Sequence, residues 1–73
     1  MNRLKEARNR TGISQLRLSL FTGIAPADIS RIENGWLYPY PGWRKRLARA
    51  LGTTESELFP DEKADRGRAT DGE

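Results

Sequence analysis

The stretch Ser14–Gly35, SQLRLSLFTGIAPADISRIENG, decides how this chain folds. It reads as two short helices hinged at one glycine. Gly23 supplies the positive φ that a tight inter-helix turn requires, and the small Ser19 stands four positions earlier, where the helices must approach closely. Leu18, Ile24, Ile29 and Ile32 fall where such a pair would share one core. Ser14 offers its hydroxyl to the free N–H groups opening the first helix, about Gln15 to Phe21. The second runs from about Pro26 to Asn34. Its N-cap position falls on Ala25, which lacks a side-chain oxygen and costs about 1 kcal/mol relative to Ser or Thr. Pro26 partly offsets this because its φ is already helical, and Asp28 complements the positive end of the helix dipole. Asn34-Gly35 closes the element.

On the N-terminal side, a helix over about Asn2 to Arg10 turns Leu4 and Ala7 inward, and Gly12 ends it. On the C-terminal side, WLYPYPG (Trp36 to Gly42) is expected to be non-helical, because Pro39 and Pro41 push their preceding residues to extended backbone. A helix over about Gly42 to Leu51 then places Trp43, Leu47, Ala50 and Leu51 on one face. Gly52 ends it. Thr54 with Glu57 forms a capping box that opens a short fifth helix, whose Leu58 and Phe59 turn inward before Pro60 stops it. These readings predict an all-α domain over residues 1–59. Residues 60–73, PDEKADRGRATDGE, are polar, lack aromatic side chains and are expected to be a disordered acidic tail.

At 73 residues there is room for one domain with a modest core. The chain has neither cysteine nor histidine, so disulfides, thiolate zinc sites and the commonest general base are excluded. Asp28, Glu33, Glu55 and Glu57 form no convincing acid–base pair, and the expectation is that the protein is not an enzyme and needs no cofactor. No apolar run approaches the ~20 residues needed to cross a bilayer, and no signal-peptide core follows Met1, which points to a cytoplasmic protein without a membrane partner. Charge is unevenly spread. Residues 1–59 carry ten Lys/Arg against five acids, whereas residues 60–73 carry three against five. A basic body suits a polyanion, and a helix pair hinged in this way lays its second helix into the DNA major groove.

The pattern Arg8…Gly12-Ile13-Ser14-Gln15…Leu18-Ser19…Thr22-Gly23-Ile24…Ile29-Ser30-Arg31-Ile32-Glu33-Asn34-Gly35…Pro39…Leu47-Ala48…Ala50-Leu51-Gly52…Leu58-Phe59 resembles the phage-repressor and Cro-type (Xre-like) helix-turn-helix family. It covers nearly all of residues 3–59 without a gap. The resemblance implies a compact five-helix bundle with the helix-turn-helix at its second and third helices. It makes residues 26–34 the recognition helix of a sequence-specific transcriptional regulator, acting as a homodimer on double-stranded DNA. Pro26, Ala27, Ser30 and Arg31 would then face base edges, and Arg31 alone can bind guanine O6 and N7 bidentately. Gln15 would meet a phosphate at the start of the second helix, and the backbone amides at Asn34 and Gly35 would grip the other flank. Arg8 and Glu33 would pair to join the first and third helices. The full set of expected DNA contacts is Gln15, Arg17, Pro26, Ala27, Ser30, Arg31, Asn34, Gly35, Tyr38, Arg44 and Lys45.

Three departures from the family pattern matter. The recognition helix opens Ala-Pro-Ala-Asp where polar or basic residues are usual, so base contacts are few and specificity rests on Arg31 and DNA shape. Leu16 and Leu20, spaced i, i+4, either cover the first helix or form a contact site for a partner or second copy. Trp36, Tyr38, Tyr40 and Trp43 crowd around one loop; they either seal it against the bundle, with Trp43 in the core, or lend Trp36 and Tyr38 to DNA. The alternative function is a protein-interaction module, antitoxin- or adaptor-like, that uses Leu16/Leu20 or the Trp36–Tyr40 loop and keeps the fold with weak or no DNA binding.

Overall fold

In the computed structural model five helices follow one another among the described residues: α1 (Leu4–Thr11), α2 (Gln15–Thr22), α3 (Pro26–Glu33), α4 (Pro41–Ala50) and α5 (Glu55–Leu58). Residues 2–60 are described; residues 61–73, and with them nearly all of the expected acidic tail, lie outside the described residues. The molecule is an all-α bundle with the helix-turn-helix at α2 and α3, and among the described residues no helix is long and apolar enough to cross a membrane.

Each helix start has its own local cause. Asn2, expected inside the first helix, instead stands before it. Its Oδ1 accepts from the Leu4 N–H, while its Nδ2 donates to the Ile32 carbonyl at 2.7 Å, so one side chain caps α1 and ties it to the end of α3. Ser14 caps α2 by accepting from the Arg17 N–H at 3.1 Å. Ala25 caps α3 without any side-chain bond, and Pro26 takes the first helical position. Thr54 accepts from the Glu57 N–H and opens α5, whose last carbonyl, on Leu58, receives the Arg3 N–H.

α4 begins earlier than expected. Pro41, assigned from sequence to the non-helical loop, is its first residue, one position before the expected start at Gly42. A proline disfavours helix in the residue before it, but at the first helical position it forfeits only an N–H that has no intrahelical acceptor. Tyr40 is accordingly extended, and the helix starts directly after it.

The core gathers one side of every helix: Leu4 and Ala7, Leu18, Ile29 and Ile32, Leu47 and Ala48, then Leu58, with Ile24, Leu51 and Phe59 from the connections. Trp43, expected inside, and Ala50 are only partly buried against it. Trp43 instead meets Tyr40 edge to face, with ring centroids 4.8 Å apart.

The α2–α3 turn is held by backbone and side-chain bonds together. Gly23, at φ 77°, sends its N–H to the Ser19 carbonyl, and the buried Thr22 hydroxyl donates to Leu18 and accepts from the Ile24 N–H. From across the bundle Arg46 Nη1 donates to the Thr22 carbonyl at 3.3 Å. A Cβ on Gly23 would clash with nothing, its nearest neighbour being Arg46 Nη1 at 4.0 Å. Gly23→Ala therefore isolates the cost of the left-handed backbone, about 1–2 kcal/mol. Chemical denaturation should show a loss of that size with an unchanged slope.

Candidate nucleic-acid interface

A buried carboxylate sets the angle between α2 and α3. Glu33, at the end of α3, accepts from Arg8 Nε at 2.6 Å and Arg8 Nη2 at 3.3 Å, and from Gln15 Nε2 at 3.0 Å. Arg8 Nη1 also donates to the Ile13 carbonyl. One anion thus holds α1, the α1–α2 connection, the first residue of α2 and the last of α3. The expected Arg8–Glu33 pair is present, and Gln15 joins it.

This clamp presents α3 with a clear inside and outside. Ile29 and Ile32 are fully buried, whereas Pro26, Ala27 and Arg31 are exposed and Ser30 is half-buried. Arg31 does not extend freely. Its Nη1 donates to Asp28 Oδ1 at 2.7 Å, one turn earlier on the same helix. That exposed pair contributes only about 0.2–0.5 kcal/mol, but it holds the guanidinium against the outer wall of α3 with Nε and Nη2 still available.

A family profile described as a helix-turn-helix domain matches residues 2–58. The chain belongs to that helix-turn-helix family, of the phage-repressor and Cro type. DNA binding is the general function that membership carries. No curated protein and no solved structure gives a significant match.

The structure arranges the remaining expected contacts of this helix-turn-helix domain unevenly. Gln15 is half-buried, with one Nε2 proton directed to Glu33. Arg17, Tyr38 and Lys45 are exposed. Asn34 and Gly35 depart from expectation, because their amides do not face outward. The N–H groups of Asn34, Gly35, Trp36 and Leu37 donate to the carbonyls of Ser30, Ile32, Arg31 and Arg31 respectively. The Asn34 side chain folds back onto Ser30 as well. A helix end leaves carbonyls without intrahelical donors, and here the N–H groups of residues 34–37 supply them, so these amides are already engaged within the chain.

Arg44 is the clearest correction. Expected at the DNA backbone, it is 2% exposed. Nη1 donates to the Pro39 carbonyl at 2.9 Å, Nε reaches Glu55 at 3.4 Å, and the guanidinium lies 5.5 Å from the centre of the Tyr38 ring. It is a strut joining the loop, α4 and α5. A pair eleven residues apart, across a turn, has no local spacing that announces it. The same holds for Asn2 with Ile32, and for Arg46 with Thr22.

Two pairs of alternatives left open by the sequence resolve in the same direction. Leu16 and Leu20 do not cover α1; they are 63% and 75% exposed. The loop aromatics do not seal the bundle either, since Trp36, Tyr38 and Tyr40 all stand open to solvent. Removal of the Arg44 strut strands the Pro39 carbonyl and Glu55, so Arg44→Ala should cost about 2 kcal/mol in chemical denaturation. Lys45→Ala, at an exposed neighbour without an ion pair among the described residues, should leave stability within about 0.5 kcal/mol of the parent.

Proposed function

We propose that this protein is a sequence-specific transcriptional regulator in which α3 enters the DNA major groove. The observation that carries this reading is the division of α3 itself. Arg31, Ala27 and Pro26 stand outward as a connected strip, while Ile29 and Ile32 anchor the opposite side without any exposure. Arg31 reads guanine through its free nitrogens, Ala27 and Pro26 offer apolar contact to a thymine methyl, and Ser30 bonds a base or phosphate.

Electrostatics supports a polyanion. Three of the ten Lys/Arg among the described residues are committed to Glu33, Asp28 and Glu55, which leaves seven cations against two unpaired carboxylates. Phosphate contact falls to Arg17, Lys45 and the first turn of α2, with Tyr38 on the loop side. One domain of this size buries a small interface, so a homodimer on two half-sites about one helical turn apart supplies the missing affinity.

A second reading keeps the fold but weakens the DNA contact. It is favoured by the internally bonded amides of residues 34–37 and by the burial of Arg44, which together remove phosphate ligands from the loop side. Affinity for bulk DNA at low salt separates the two, since an interaction module would show none.

Selection of sites from random DNA, followed by shift assays over a salt series, tests the main proposal. Arg31→Ala should lose about 1–3 kcal/mol on the selected site and relax preference at one base pair per half-site. Equal binding and equal selectivity by that variant would place the reading surface elsewhere. Asp28→Asn should do the opposite. It removes a carboxylate from beside the phosphates and releases Arg31, so binding should tighten severalfold at low salt and the gain should shrink as salt rises.

A further inference from the structure

α2 is apolar on two sides and buried on one. Leu18 and Thr22 face the core, yet Leu16, Leu20 and Phe21 on the outer side are 63%, 75% and 60% exposed. A surface helix ordinarily turns its large apolar side chains to the core and its polar ones to water; here three large apolar side chains lie on the solvent side. Beside Phe21 an open groove of about 540 Å³ runs between α2 and α4, lined by Phe21, Thr22, Arg46, Arg49 and Ala50. Neither α2 nor α4 contains a single Asp or Glu. Arg17, Arg46 and Arg49 form no ion pair among the described residues, and Arg46 is held at the groove by its bond to the Thr22 carbonyl.

We infer that the outer side of α2 and the α2–α4 groove together form a docking surface for an acidic, amphipathic helix of another protein. Charge selects this occupant over the others. A second copy seated by two-fold symmetry would bring the same patch to itself, setting arginines against arginines. The chain's own residues 61–73 supply five acids but no apolar side chain larger than alanine, so they would leave Leu16, Leu20 and Phe21 uncovered. DNA phosphates would satisfy the arginines and leave the same three side chains in water. A helix carrying leucine or aromatic anchors at i, i+3, i+4 and i+7, with Glu or Asp beside them, satisfies both halves of the surface. The inference does not depend on what α3 reads.

The test pans a random helical-peptide library against the immobilised full chain, with amide chemical-shift mapping of the enriched peptides. Expected are peptides rich in acids and large apolar residues, shifting Leu20, Phe21 and Arg49. Their affinity should fall at least about tenfold on the Leu20→Ala/Phe21→Ala double variant. Arg49→Glu should weaken them comparably, and a peptide with Lys in place of its acids should regain affinity for that variant. Leu20, Phe21 and Arg49 are surface residues outside the proposed DNA contacts, and an unchanged melting curve confirms that the variants fold. No enrichment, enrichment of neutral or basic peptides, or binding indifferent to these substitutions would overturn the inference. So would self-association of the wild-type chain that the double variant abolishes, because the surface would then belong to a second copy.

Discussion

Glu33 is a carboxylate almost wholly withdrawn from water, and much of the rest follows from how it is neutralised. Stripping a carboxylate of water costs several kcal/mol unless charge and hydrogen bonds replace what is lost. Two guanidinium N–H groups of Arg8 and one amide N–H of Gln15 do so. Those partners belong to α1 and α2, so the anion at the end of α3 is satisfied only when three helices hold one mutual arrangement. Buried ion pairs add little net stability, but an arrangement that breaks one is strongly disfavoured. The clamp therefore acts on geometry more than on energy. It sets the angle at which α3 leaves the bundle.

A second strut does the same on the opposite side. Arg44 ties the Pro39 carbonyl and the Tyr38 ring to Glu55, which fixes the loop after α3 against α5. That loop is thereby tied down at both ends, and the amides of residues 34–37 cap α3 from within. The two cations buried by these struts are subtracted from the electrostatic field offered to an anion. What remains positive is concentrated on α2, α4 and the N-terminal helix, and the outer wall of α3 is small, partly apolar and carries one guanidinium. An interface of that make-up discriminates through a single strong contact and through the shape of its partner, rather than through a row of hydrogen bonds.

α2 carries two demands at once. Its N-terminal residue belongs to the Glu33 clamp, and its inner side belongs to the core. Its outer leucines and phenylalanine contribute to neither, in a chain with little apolar surface to spare. Exposed large side chains scattered singly are ordinary, but here three of them stand on one eight-residue helix. Together with the uninterrupted positive charge of α2 and α4, they give this small bundle a second face, chemically unlike the one that α3 presents.

Short-range physics is legible in the sequence itself. Ser14, Gly23, Pro26 and Thr54 mark their helix boundaries because caps and turns depend on residues within four positions of one another. The periodicity of Leu18, Ile29, Ile32 and Leu47 likewise announces which sides turn inward, and the Arg8–Glu33 pair came with the family pattern. Three kinds of fact were not settled there: the burial of Arg44, the inward amides of residues 34–37, and which of two alternatives, cover or exposed contact, Leu16 and Leu20 take. Each depends on which distant surface arrives opposite. A cationic side chain is hidden or free according to whether a carbonyl and a carboxylate converge on it, and a leucine is core or surface according to whether another helix reaches it. Local spacing carries neither quantity; both arise only when the helices pack.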